Sequence, residues 1–166
     1  MEIYVLRHAI ATEHEHGGDR DAERKLTTEG RERLRRSTKC WDRLGVVVDV
    51  IMTSPYVRAR QTAEIAGQAL GIPDRVVDCP ELAAGASPSA IVGAIAERCP
   101  EDHRVMIVGH EPDLGRLISM LVCGDDGGGF RMKKAGLTKL AVEGLAVGRC
   151  AVLEWHLWPR HMLLMA

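Results

Sequence analysis

Apolar positions along the chain fall into short unbroken runs that alternate with longer segments of helical spacing. Glu2 to Leu6, leading into "YVLRHAIA", reads as a buried strand, followed by a polar, Gly- and His-rich exposed connection over Ala9 to Lys25. In "LTTEGRERLRRSTKCWDRLG", Thr28 is placed to cap a helix in which Leu34, Thr38, Trp41 and Leu44 share a face, ending near Gly45. Val46 to Ser54 is β-branched and bounded by Gly45 and Pro55, which predicts a buried strand. "YVRARQTAEIAGQALG" predicts a helix with Thr62, Ile65, Ala66 and Ala69 inward, stopping at Gly71. "RVVDC" reads as a third strand, Pro88 to Arg98 as a helix and Arg104 to Val108 as a fourth strand. "PDLGRLISMLV" is then a helix with Pro112 in its first turn. Beyond the loop "GDDGGG", the runs Leu137 to Val142 and Cys150 to Leu157 are suited to pair as a hairpin.

Strands alternating with helices predict an α/β fold, a three-layer αβα sandwich with a mostly parallel mixed central sheet flanked by helices. A chain of 166 residues with 46% hydrophobic content suits one domain over 1–166. A formal charge of −1 carries no global field directing the chain to nucleic acid. With neither an apolar run of spanning length nor a leader-like start, the expected location is the cytoplasm, away from the membrane. The five cysteines are odd in number and lack a C-x-x-C pair, so they read mostly as small buried hydrophobes, not a disulfide framework or zinc site.

Open α/β sheets bind ligands beyond the carboxyl ends of their strands. The first strand delivers Arg7 and His8 there, the second Ser54 with Arg58 in the following helix turn, and the fourth His110 in "VGHEP" just before a helix N-terminus. Arg58 and Arg60 point about 200° apart on a helix. Arg58 joins the stripe of Thr62 and Ile65, whereas Arg60 aligns with Glu64 as a surface ion pair. Two inward arginines, two histidines and a helix N-terminus suit a phosphoryl group, because guanidinium forks bind its oxygens bidentately. A neutral imidazole in such a pocket is able to attack phosphorus in line and form a phosphohistidine.

"LRHA", "SPYVRARQT" and "VGHEP" resemble the signatures of the histidine phosphatase superfamily, the phosphoglycerate mutase-like proteins. "DAERKLTTEG" and "CPEL" are similar to its SixA-type phosphohistidine phosphatases. The resemblance runs from about Ile3 to Pro112, and the order and spacing of the motifs make it specific. It implies that His8 is the nucleophile, that Arg7, Arg58 and His110 bind phosphate with it, and that neither metal nor cofactor is required. Ala9 stands where the commonest superfamily motif has glycine, a change between small residues. Glu81 matches the position where many members place a general acid, with a raised pKa expected beside a desolvated pocket; Asp21 and Glu23 are its rivals.

A SixA-like chain implies dephosphorylation of phosphohistidine on a protein, such as the phosphotransfer domain of a signalling relay. The alternatives are a small phosphate ester as substrate, mutase chemistry and, more remotely, a phosphate-binding or phosphocarrier module without turnover. A monomer is expected. His14 and His16 in "HEH" lack a third ligand and read as solvated loop, and the Lys/Arg-rich run from Asp19 to Arg43 as a solvated helix face. Arg131, Lys133 and Lys134 in "RMKK" read as an exposed loop that the glycine run is able to bring over the pocket mouth, and Trp155 and Trp158 as C-terminal packing.

Overall fold

A computed structural model describes residues 1–13, 21–99 and 103–166. Its elements, in chain order, are β1 (Glu2–Arg7), α1 (Thr28–Thr38), β2 (Val50–Thr53), α2 (Val57–Leu70), β3 (Val76–Asp78), α3 (Pro88–Arg98), β4 (Arg104–Gly109), α4 (Asp113–Cys123), β5 (Leu137–Val142), β6 (Ala151–Leu157) and α5 (Pro159–Met165). The strands form one sheet in the order β3-β2-β4-β1-β5-β6. β3, β2, β4 and β1 run parallel, while β5 is antiparallel to both β1 and β6.

Alternation along β1 explains the three layers, because successive side chains of a strand point to opposite faces. Ile3 and Val5 enter one core with Ile91 and Ile95 of α3 and Leu114, Leu117 and Ile118 of α4. Tyr4 and Leu6 enter the other, with Trp41, Ala59, Ala63 and Ala66, and with Met162 of α5. Each fully buried Ile or Leu contributes roughly 1.5–3 kcal/mol of transfer free energy. A smaller cluster of Ala9, Ala11, Leu26, Leu34, Ile65 and Ala135 lies beyond the end of β1.

Several predicted boundaries move, each for a local reason. Thr27, not Thr28, caps α1, its Oγ1 accepting from the Gly30 N–H at 2.9 Å. Trp41 and Leu44 lie past α1 in turns that end at Gly45, whose φ of 65° suits glycine. β2 begins at Val50, not Val46, because the Asp49 carboxylate takes hydrogen bonds from Arg104 N, Nε and Nη2 where the strand would otherwise extend. Ala69 is exposed, one position off the inward stripe of α2. The connection after β1 is not wholly exposed: Ala9 and Ala11 are buried, and Ala11 bridges Leu26. The reading of His14 and His16 lies outside the described residues.

α5 was not anticipated, since seven residues from Pro159 to Met165 carry too little periodicity to stand out. Met162 buries its side chain, and α5 packs on α1. Among the described residues, no helix is long and apolar enough to cross a membrane, and no three His, Cys, Asp or Glu side chains are grouped to hold a metal ion. All five cysteines are free, and Cys40, Cys79 and Cys99 are buried.

Candidate active site

Strand register assembles the site. Arg7 of β1 lies level with Gly109 of β4, and Thr53 of β2 with Val108, so the next residue of each strand, His8, His110 and Ser54, emerges at the same carboxyl edge. Backbone hydrogen bonds extend this alignment past the strands, His8 N–H donating to the Gly109 carbonyl and Ser54 N–H to the Val108 carbonyl. The two imidazoles approach with ring centroids 5.2 Å apart. α2 starts two residues after Pro55, and its first turn aims Arg58 inward, where Arg58 Nε lies 3.3 Å from His8 Nε2. Arg7, His8, Arg58 and His110 are therefore brought together, as the strand-end reading expects. Arg60 faces outward to Glu64 and Asp78.

His8 is held in one tautomer. Its Nδ1 is 2.8 Å from the Ala9 carbonyl, an acceptor only, so Nδ1 carries the proton and Nε2 keeps its lone pair when the ring is neutral. The ring is neutral across the ordinary pH range. Burial pushes its pKa down to about 3, and the nearby His110, Arg58 and Arg7 act in the same direction against the Ala9 hydrogen bond. Thr62 fixes the chain here: its Oγ1 accepts from Ala9 N–H at 3.1 Å and donates to the Arg58 carbonyl at 2.7 Å, tying the segment after β1 to α2.

His110 is also kept neutral, burial lowering its pKa to about 4 with Arg58 adding to the effect. Its Nε2 lies 2.8 Å from Ser54 Oγ, which also accepts from the Tyr56 N–H. The buried Ser54 hydroxyl proton needs an acceptor, so Ser54 donates to Nε2 and leaves His110 Nδ1–H as the donor. That Nδ1 and Arg7 Nε are buried without a hydrogen-bond partner among the described residues. Unpaired buried donors of this kind cost about 1–3 kcal/mol each, a penalty that an anionic ligand removes.

The arginines supply the positive charge. Arg7 donates from Nη1 to the Met132 carbonyl at 2.8 Å, and the buried Met132 in turn is held by its N–H to Glu111 Oε1. Ala135 N–H donates to the carbonyls of Arg7 and His8, so the segment containing Arg131, Lys133 and Lys134 is no ordinary exposed loop. The lysines remain exposed, but Met132 and Ala135 clasp the end of β1. Arg58 engages Asp21 through Nη2 to Oδ2 at 2.8 Å and Nη1 to the backbone oxygen at 2.5 Å. Its guanidinium sits over the Tyr56 ring, 5.0 Å from the centroid, and that ring also packs on His110.

Glu81 does not meet its expectation. The short 3-10 turn Pro80–Leu82 directs its carboxylate to Arg98 of α3, 3.1 Å from both oxygens, and Cys79 Sγ donates to it. Its pKa is lowered, first by its own backbone N–H and then by Cys79 and Arg98, the reverse of a protonated acid. Asp21 is the carboxylate brought to the site. Burial alone would raise its pKa, but hydrogen bonds from Arg24 and Arg58 outweigh it and lower the value. Glu23 is exposed on the same short turn. The roles of Tyr56 and Thr62 were missed: a hydroxyl bridging two backbone segments and a ring stacked on Arg58 leave no spacing signature.

Two buried neutral histidines make stability depend on acid. Each has a folded pKa below the unfolded value near 6.5, so the unfolded chain binds the extra protons and stability present above pH 6.5 is lost as pH falls toward 4. Between pH 7 and 5 the pair is expected to remove about 3 to 4 kcal/mol, lowering the melting temperature by roughly 10 °C. Thermal melts in phosphate-free buffer check this, with a His8→Gln/His110→Gln variant expected to flatten the slope. An equally steep slope in that variant would contradict the assignment.

A family model described as histidine phosphatase superfamily (branch 1) matches residues 3–83. The chain is 36% identical over 146 residues to an uncharacterized protein of Picosynechococcus sp., covering 84% of each. It is 27% identical over 130 residues to phosphohistidine phosphatase SixA of Escherichia coli, covering 75% of this chain and 76% of that protein. The solved structure of the protein histidine phosphatase SixA complexed with tungstate matches with a TM-score of 0.82 at 23% identity, over 98% of this chain and 99% of that one. Together with the converging histidines and arginines, these likenesses establish that the chain belongs to the histidine phosphatase superfamily, as a phosphatase with the phosphoglycerate mutase-like fold.

Proposed function

We propose that the chain dephosphorylates phosphohistidine on a protein, with His8 Nε2 as the nucleophile. The observation that carries this reading is the neutral His8 ring, its tautomer fixed by the Ala9 carbonyl, with its free nitrogen facing Arg58 beside Arg7 and His110. In the first step Nε2 attacks phosphorus in line, an Nε2–P bond forms and the substrate's P–N bond breaks. The departing imidazole takes up a proton from water. Arg7, Arg58 and His110 Nδ1–H stabilise the oxygens of the transferring group. In the second step water attacks phosphorus, the Nε2–P bond breaks, the water protons leave on the phosphate, one of them neutralising the hydroxide left by the first step, and His8 is neutral again.

The acid side of the site favours this substrate. Neither Glu81 nor Asp21 is held protonated, since hydrogen bonds to arginine lower both pKa values. An imidazole leaving group needs less help from an acid than an alkoxide does, so a phosphoramidate suits a site in which these two carboxyls are ionised. The connections Ser54–Tyr56 after β2 and His110–Pro112 after β4 are three residues each, too short to form a lid against a side chain presented by another protein. The sequence likeness to SixA of Escherichia coli points the same way, and tungstate in the fold relative is a tetrahedral oxyanion.

Initial rates on a phosphohistidine-bearing phosphotransfer protein and on a panel of sugar, glycerate and serine phosphates test the reading. kcat/KM is expected to be at least about 100-fold higher for the phosphohistidine protein, about 2.7 kcal/mol of differential transition-state binding. A preference of that size for one small ester would overturn it.

A further inference from the structure

Arg7 also lines a groove of about 560 Å³. Its lining includes Arg33 of α1, Lys133 and Lys134 of the segment that clasps β1, and Trp158 and Arg160 at the start of α5. Five cations thus line it, with Ile10, Trp158 and Pro159 as the apolar part and no carboxylate. Arg24, Arg58, Arg60, Arg98, Arg104, Arg116 and Lys139 each lie within an ion pair. Among the described residues, none of the five groove cations has such a partner, and Arg33 Nε is buried without a hydrogen bond. Lys134 records the crowding, its pKa lowered by burial and by Arg7 and Arg24, against which Glu13 acts weakly.

The groove is built, not merely charged. Trp158 Nε1–H donates to His156 Nε2 at 3.1 Å, which places the His156 proton on Nδ1, 2.7 Å from Thr138 Oγ1. The Thr138 hydroxyl is then free to donate to Met132 Sδ, 3.0 Å away, and the Met132 carbonyl holds Arg7. One chain of contacts therefore sets the indole at a fixed position relative to the phosphate-binding arginine. On that indole rest two cations, Lys133 Nζ at 5.3 Å and Arg160 Cζ at 4.7 Å from the ring centroid. A rigid aromatic anchor ringed by positive charge resembles the energetic centre of a protein interface.

We propose that this groove binds an acidic segment of the phosphorylated protein, adjacent in that protein to the side chain entering the His8 pocket. The inference deepens the proposed function and rests on it for the choice of a polypeptide ligand. Charge complementarity selects carboxylates, and spreading the cations around an apolar floor suits an extended chain with apolar stems better than a compact second phosphate. The groove then supplies specificity and encounter rate, leaving the chemical step to the strand-end residues.

The test uses two synthetic peptides carrying a non-hydrolysable phosphonate analogue of phosphohistidine, identical except for glutamate or glutamine at the flanking positions. Calorimetric titration of the wild-type chain at low salt is expected to show about tenfold tighter binding of the glutamate peptide, shrinking severalfold at high salt. Lys133→Glu/Arg160→Glu is expected to erase or invert that preference while the glutamine peptide binds within about twofold of wild type. Equal affinity of the wild type for both peptides, or a preference that survives the double variant, overturns the proposal. The two failures are separable: a chain that discriminates between the peptides yet hydrolyses small esters alone keeps the groove and loses the phosphohistidine reading.

Discussion

His8→Ala is expected to lower phosphate release by about 10⁴-fold or more, because it removes the atom proposed to bond phosphorus. The expectation is specific to Nε2. His8 Nδ1 is committed to the Ala9 carbonyl, Arg58 Nε lies 3.3 Å from Nε2, and burial keeps the ring unprotonated. His110, the other imidazole at the edge, has its Nε2 engaged with Ser54 and offers Nδ1–H as a donor, so it is not positioned as a substitute nucleophile. Rapid quenching of the wild type during turnover is expected to trap phosphate on His8 in an acid-labile, base-stable form, detectable by mass spectrometry and missing in His8→Ala. The small side chain also removes one of the two groups whose protonation opposes folding in acid, so His8→Ala is expected to lose less stability than wild type between pH 7 and 5. Turnover of a folded His8→Ala within tenfold of wild type would sink the assignment, as would a phosphate trapped on a different residue.

Why His8 was legible in the sequence, while Asp21 stood there only as a rival to Glu81, is a matter of which contacts are local. A parallel sheet presents its strand ends at one edge, so Arg7, His8 and His110 follow from the strand assignments alone, and helical phase separates Arg58 from Arg60 without any tertiary knowledge. The order of β-strands in the sheet then only has to bring those ends side by side. Asp21 reaches Arg58 from a loop, and no periodicity constrains a loop's path. Glu81 failed in the opposite way: its motif position was suggestive, but the pKa of a carboxyl depends on neighbours, and Arg98, seventeen residues on, was invisible as a partner. The charges of the two histidines were legible only in part. Their proximity to arginine was expected, but their neutrality depends on burial that the three-dimensional packing creates. Likewise "RMKK" read as an exposed loop from its charges, although Met132 accepts from the Arg7 side chain and Ala135 binds the backbone at the end of β1.

Arg58→Ala is expected to reduce kcat/KM by about 10³-fold, at the upper end of the range for losing one preorganised donor group, because this guanidinium offers several donors and a full charge to the transferring phosphoryl group. Arg58→Lys is expected to restore no more than about tenfold, since a lysine keeps the charge but loses the planar fork. In the resting site Arg58 Nε is turned to the His8 lone pair and its Nη atoms to Asp21, so both contacts must yield as phosphate enters. The Asp21 carboxylate thus competes with substrate for the same donors. Asp21→Asn is accordingly expected to lower KM severalfold with kcat little changed, whereas a general-acid role for Asp21 would cut kcat by about 10² or more. The pH profile separates electrostatic binding from an indirect effect on the nucleophile. Loss of the Arg58 charge raises the His8 pKa, but burial, the larger cause, remains, so the ring of the variant stays neutral at pH 7 and the deficit is expected to persist from pH 6 to 8. A deficit that vanishes at the alkaline end would instead mean that Arg58 acts mainly by keeping His8 unprotonated.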